Sequence, residues 1–292
     1  MPATGTIAEL LEAGPVLLDG GWGTQLQARG LRPGENPDFW NLEHPDRVEE
    51  VARSYVEAGS RIILTNTFRA NRIALARDPR VDRVVDVNRA GVEISRRAAG
   101  DRAHVFASIG PSGKQLIIRE VDPEGLRATF GEQADALASG KPDGIVIETM
   151  SDLAEAKLAI EAAKATGLPV VACMAFDSGK KRDRTMMGVA PAQAAEELTA
   201  AGADVVGANC GAGMDEYIPV CAGLAAATDR PIWIKPNAGI PQLRGDEVVY
   251  PTTAEEFAGK LPALLEAGAS FVGGCCGTDP SFIVAMGRAL AG

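Results

Sequence analysis

Three stretches of the chain, Glu57–Phe68 (EAGSRIILTNTF), Ala200–Cys210 (AAGADVVGANC) and Glu266–Cys276 (EAGASFVGGCC), repeat one plan. Each ends a helix-like segment at Ala-Gly, adds a small residue, and then runs into a short apolar stretch. Gly59, Gly202 and Gly268 fit the left-handed cap that stops a helix. The apolar stretches fit strands. Working outward, comparable runs occur at Val16–Asp19, Ile62–Thr65, Val105–Ile109, Ile145–Glu148, Val170–Ala175, Val205–Asn209, Ile232–Lys235 and Phe271–Gly274. They are continuously apolar rather than alternating, as parallel strands buried on both faces must be. Amphipathic segments lie between them, most clearly Asp46–Ala58, Asp152–Thr166, Ala192–Ala201 and Thr253–Ala267. Ser151 or Asp152, with Glu155 behind it, reads as an N-cap, and Pro191 as a first-turn residue.

Eight strand-helix units predict an α/β chain closed into a (β/α)8 TIM barrel. No glycine-rich dinucleotide fingerprint follows the first strand, which argues against an open doubly wound sheet. No linker or low-complexity stretch divides the sequence, so residues 1–292 read as a single barrel domain. Arg29–Pro45 and Lys180–Pro191 are the longest irregular candidates. The length suits a barrel of roughly 250 residues with loops. At 46% hydrophobic and 23% charged residues the composition is that of a water-soluble globular chain. A formal net charge of −10 opposes nucleic-acid binding. No apolar run approaches the roughly 20 residues that span a bilayer, and MPATGTIAELLEAG lacks the basic-then-apolar order of a signal peptide. The expectation is a cytoplasmic protein without membrane contact.

Strand C-termini carry the active site in such a barrel. The residues there are Asp19, Thr65 with Asn66, Glu148, Cys210, Asn237, and Cys275 with Cys276. Five cysteines, an odd number, argue against a disulfide framework, and two histidines are too few for a multi-histidine metal site or an ordinary hydrolytic triad. Cys210, Cys275 and Cys276 can form three corners of a tetrahedron around Zn2+, leaving the fourth for substrate. Adjacent residues of a strand face opposite ways, so Cys275 and Cys276 can share a metal only where the backbone leaves strand geometry. Gly273, Gly274 and Gly277 permit that. Cys173, mid-strand, and Cys221, on a helix, read as packing residues. Three thiolates leave zinc electron-rich and suited to activating a substrate thiol, whereas hydrolytic zinc prefers nitrogen and oxygen ligands. The ligand set therefore points to thiol alkylation. Glu148 and Asp19 fit acceptors for a substrate ammonium, or else loop caps or ion pairs with a barrel lysine or arginine. Thr65, Asn66 and Asn237 fit substrate positioning, and the two asparagines also fit the fourth zinc corner or simple bonds to loop backbone. The glycines of Asp19–Gly23 fit either a turn or a close approach of a substrate carboxylate to backbone N–H groups. His44 reads as a capping or turn residue, and His104 belongs to the opposite, stabilising face.

DGGWGTQLQARG, TNTF at Thr65–Phe68, SIGPSG at Ser108–Gly113, ETMSD at Glu148–Asp152, GANC at Gly207–Cys210, KPNAG at Lys235–Gly239 and GGCCGT at Gly273–Thr278 together resemble the homocysteine S-methyltransferase family. The likeness is collinear from about residue 15 onward, and GGCCGT with its upstream Asn-Cys is its most specific part. The spacing is most similar to the homocysteine module of cobalamin-dependent methionine synthase, without that enzyme's folate and cobalamin modules. Betaine- and S-methylmethionine-using enzymes are relatives. The resemblance implies a catalytic zinc on Cys210, Cys275 and Cys276, and a homocysteine ammonium held by Asp19 and Glu148. It also implies that Asn237 coordinates the metal when substrate is absent. The expected reaction makes methionine from homocysteine. The expected donor is a corrinoid protein, a sulfonium or a betaine-like onium. A related transfer on another thiol or onium, and a non-catalytic zinc or redox protein, are the competing readings. Oligomeric state, homo-oligomers included, stays open.

Overall fold

The computed structural model describes residues 5–245 and 247–291; residues 1–4, which open the segment read above for a signal peptide, lie outside it. Eight strands form the barrel wall: β1 (Val16–Leu17), β2 (Ile62–Ile63), β3 (His104–Ile109), β4 (Gly144–Met150), β5 (Val170–Met174), β6 (Val205–Cys210), β7 (Ile232–Pro236) and, after a hairpin, β10 (Ala269–Val272). Their order, β1-β10-β7-β6-β5-β4-β3-β2, is parallel throughout. Across the remaining seam the Arg61 N–H donates to the Leu17 carbonyl at 2.8 Å, tying β2 to β1. The chain is thus a (β/α)8 TIM barrel, as the eight apolar runs require. The hairpin, β8 (Gln242–Arg244) against β9 (Glu247–Val249), projects between β7 and β10 and has no counterpart in the sequence reading.

The strands are apolar on both faces because both faces are buried. Val16, Leu18, Ile62, Leu64, Val146, Val171 and Val205 fill the interior. There Trp233 stacks between Phe106 and Phe271, with ring centroids 6.1 and 5.4 Å away. Leu17, Ile63, Val105 and Ile147 pack outward against helices. In helix Pro45–Glu57, Val48, Val51, Ala52, Tyr55 and Val56 form the buried stripe expected at helical spacing. Gly59, Gly202 and Gly268 have φ of 103, 102 and 106°, the left-handed caps expected of them.

Three local expectations change. Asp152 caps helix Leu153–Ala165 by accepting from Ala154 N, but Glu155 turns away and accepts from Ser112 N at 2.7 Å. Thr253–Ala267 is two helices, Ala254–Gly259 and Leu261–Glu266, because Pro262 has no N–H to continue the first. Arg29–Pro45 contains a 3-10 turn, Pro37–Phe39, and helix Trp40–Glu43, started by the Asn36 side chain accepting from Asp38 N. His44 stands between two helices with its ring edge-on to Trp40, and His104 opens β3 at the far end of the barrel. Among the described residues no helix is long and apolar enough to cross a membrane.

Candidate active site

Strands β4 and β6, which flank β5, break regular geometry at their C-terminal ends. Thr149, after Glu148, and Cys210 take φ of 61 and 63°, a left-handed conformation that costs a non-glycine residue about 1–2 kcal/mol. Asn209 compensates. Its side-chain oxygen accepts from Thr149 N at 2.6 Å, and its amide donates to Thr149 Oγ1 at 2.7 Å and Glu148 Oε2 at 3.2 Å. One asparagine thereby fixes both the Glu148 carboxylate and the left-handed turn at Thr149.

The Sγ atoms of Cys210, Cys275 and Cys276 lie within 4.8 Å of one another, with Cys210 and Cys276 4.0 Å apart. Sulfurs at about 2.3 Å from a tetrahedral zinc stand about 3.8 Å apart, so the three thiols fit that ion with small adjustments. The vicinal pair achieves this because β10 ends at Val272 and Cys275–Cys276 begin a turn. Gly277 carries the turn at φ 81°, under the Tyr250 ring, where a Cβ would meet Tyr250 Cγ at 2.1 Å. Without metal, hydrogen bonds from Cys275 and Cys276 pull the Cys210 thiol well down and push the donors up. The cluster thus favours a thiolate at Cys210. Cys173 is buried inside the barrel and Cys221 on the buried face of helix Met214–Ala225; burial pushes both thiols up, Cys221 to about 12. Neither joins the three-sulfur group.

Asp19 and Glu148 come together around a residue the sequence reading did not single out. Lys235, at the end of β7, is 2% exposed and donates to Asp19 Oδ1. The other Asp19 oxygen accepts from Trp22 Nε1 and Leu64 N, both at 2.7 Å. Asp19 is fully buried, with both oxygens engaged by the protein. Glu148 accepts from Ser108 Oγ and Asn209 Nδ2. Burial raises its pKa against the opposing pull of Lys235 and Ser108. Burial lowers the Lys235 ammonium, but Asp19, Glu148 and Cys275 outweigh it and the net shift is upward. The rule that drew attention to Asp19 and Glu148, a charge ending an apolar strand, applies equally to Ile232–Lys235.

The remaining candidates are engaged by their surroundings. Thr65 Oγ1 meets Thr67 Oγ1 at 2.6 Å and accepts from Ser108 N at 3.0 Å. Asn66 donates to the Pro37 carbonyl at 2.7 Å and to Asn41 Oδ1 at 3.0 Å, holding the segment before helix Trp40–Glu43. Asn237 Oδ1 accepts from Cys276 N at 3.0 Å, while its side chain also hydrogen-bonds Cys210. Asp38 was not foreseen. Its Oδ1 accepts from Arg69 N at 3.1 Å, its buried Oδ2 has no partner among the described residues, and burial raises its pKa to about 7.

A cavity of about 310 Å³ joins these groups. Trp22, Leu26 and Phe68 give it an apolar side; Glu148, Lys235, Cys210, Cys275 and Cys276 face the same space. Thr65, Asn66 and Asp38 also line it, whereas Asp19 and Asn237 stand behind the lining. The arrangement brings a soft metal-binding cluster, the Glu148 carboxylate and the Lys235 ammonium to a single pocket.

The family model described as homocysteine S-methyltransferase matches residues 16–290. Methionine synthase of Mycobacterium tuberculosis is 31% identical over 295 residues, covering 94% of this chain and 24% of that protein. The Mycobacterium leprae methionine synthase is 30% identical over 294 residues, with the same coverage. The chain thus spans about a quarter of the length of these relatives. The oxidised form of the Escherichia coli homocysteine methyltransferase MmuM superposes with a TM-score of 0.81 at 22% identity, covering 98% of this chain and 99% of that one. Its metallated form gives 0.80 at 22% identity, covering 96% and 98%. These structures share the fold. A match that runs along nearly the whole barrel, cysteine triad included, makes the chain a member of the homocysteine S-methyltransferase family.

Proposed function

We propose that this chain transfers a methyl group to the thiol of homocysteine, giving methionine, with Zn2+ held by Cys210, Cys275 and Cys276. The observation that carries the reading is the convergence of three thiols on a cavity that also presents Glu148. When bound, zinc on three thiolates supplies an acidifying, electron-rich site for a fourth sulfur. The protein's own groups do the rest. Glu148 takes the substrate ammonium; the cation relieves the burial that raises its pKa. Asp19 acts from behind by fixing Lys235. Asn237 holds Cys276 N and Cys210 in register, and Thr65 and Asn66 hold the cavity wall. Trp22, Leu26 and Phe68 exclude water from the reacting sulfur.

The donor enters from the strand C-terminal side, either as a small onium compound or on a separate corrinoid protein. The free cysteines suit a reducing, cytoplasmic setting. The test is methionine formation by purified, zinc-loaded protein with homocysteine and a panel of S-methylmethionine, betaine and a methylated corrinoid protein. Methionine from at least one donor supports the reading. Turnover with none of them, with zinc bound and homocysteine failing to bind, overturns it.

A further inference from the structure

Lys235 is more than the counter-ion of Asp19. An ammonium has three donors. Among the described residues, Lys235 Nζ spends one on Asp19 Oδ1, the one acceptor within hydrogen-bond or ion-pair distance of it. The group is 2% exposed, so bulk water does not serve the other two, yet Lys235 lines the cavity. Buried charged donors without acceptors are costly, and an anion placed in the cavity removes that cost. Glu148 lines the same cavity, and its field acts on Lys235. An anion and a cation close together match a zwitterion whose ammonium and carboxylate share one carbon. Arg69, the other cation on the cavity wall, is exposed, and solvent weakens its hold on an anion.

We propose that Lys235 binds the carboxylate of the acceptor amino acid, opposite Glu148 on its ammonium. The inference rests on the homocysteine reading and names the residue that makes the pocket select an α-amino acid thiol over a simple aminothiol. Burial works against the charged ammonium, but Asp19, Glu148 and Cys275 outweigh it and the net shift is upward.

The test compares three thiols by calorimetry on zinc-loaded protein: homocysteine, 3-aminopropane-1-thiol, which lacks the carboxylate, and 4-sulfanylbutanoate, which lacks the ammonium. Wild type is expected to bind homocysteine roughly tenfold to a hundredfold more tightly than 3-aminopropane-1-thiol, the range of one charge-assisted hydrogen bond. In Lys235→Met that ratio collapses toward one, because homocysteine weakens while the aminothiol is held within about threefold. A merely structural defect weakens both ligands and preserves the ratio. The double variant Asp19→Asn with Lys235→Met removes both charges, leaves no orphaned carboxylate, and shows the same collapse. A wild-type ratio surviving in either variant overturns the proposal while leaving the homocysteine reading intact. Failure of wild type to bind any of the three thiols overturns both.

Discussion

Replacing Asp19 with Asn tests whether the barrel interior is held by the Asp19–Lys235 pair. Asp19 is fully buried and Lys235 nearly so; Asp19 follows β1 and Lys235 lies on β7, strands that do not pair directly, since β10 lies between them. Asparagine has nearly the same shape and keeps an oxygen for Leu64 N or Trp22 Nε1, so the main loss is the charge. Removing one partner of a buried ion pair costs about 3–5 kcal/mol, because the other is left uncompensated. Here Glu148 still acts on Lys235, which places the expected loss near the lower end, about 3 kcal/mol. Urea unfolding at pH 7 measures it, with an unchanged slope showing that the same surface is exposed. Adding Lys235→Met to Asp19→Asn should recover part of the loss, since neither charge then remains, so the double variant costs less than the sum of the two singles. A single-variant loss below about 1 kcal/mol, or strict additivity in the double, refutes the argument that a mutually dependent buried pair ties the two strands.

Metal analysis of purified variants should give about one zinc per chain in wild type, Cys173→Ala and Cys221→Ala, and loss of zinc in Cys210→Ala, Cys275→Ala and Cys276→Ala; full occupancy after removing both Cys275 and Cys276 disproves the site. Glu148→Gln should weaken homocysteine binding roughly tenfold to a hundredfold with zinc content unchanged, as read by calorimetry; equal affinity returns Glu148 to a purely structural role. Asp38 sets a pH dependence: its folded pKa of about 7 lies above the unfolded value of about 3.9, so the unfolded chain gives up the proton first as pH rises. Its stabilising contribution is complete below about pH 4 and is lost as pH rises toward 7, at up to about 1.4 kcal/mol per pH unit. Asp38→Asn should flatten the wild-type decline across that window in urea titrations, and superimposable profiles count against it.

The strands were legible because burial on both faces leaves a signature that needs no partner: a run of apolar residues reads the same whichever strand lies beside it. The strand-end chemistry followed from that placement, and the cysteine triad from the glycines that frame Cys275 and Cys276. What stayed hidden depends on pairs far apart in sequence. Lys235 at a strand end is indistinguishable, in one dimension, from a lysine reaching solvent; only closure of the barrel brings Asp19, 216 positions away, onto its ammonium. The alternative of an ion pair with a barrel lysine was visible for Asp19, but its owner was not. The Pro262 break in Thr253–Ala267 was legible in principle, since a helix-interior proline is a local signal.

Asn209 is the instructive case. In the sequence it belongs to the Asn-Cys pair of the family resemblance, with no role of its own assigned. In the structure its side-chain amide holds two things in place, the Glu148 carboxylate and the left-handed turn at Thr149, and the next residue is the left-handed Cys210. Under the proposed function the Cys210 sulfur and the Glu148 carboxylate serve opposite ends of one small substrate, and the two cannot then be placed independently, because an error of about 1 Å at either end lowers productive binding steeply. Reaching across β5 from β6 to β4, the Asn209 side chain makes their separation a property of the barrel wall rather than of two loops. The strain at Thr149 and Cys210 is then the local cost of aiming both groups into the cavity. That is the kind of feature sequence patterns miss, since patterning reports where a fold is relaxed and active sites are where it is not.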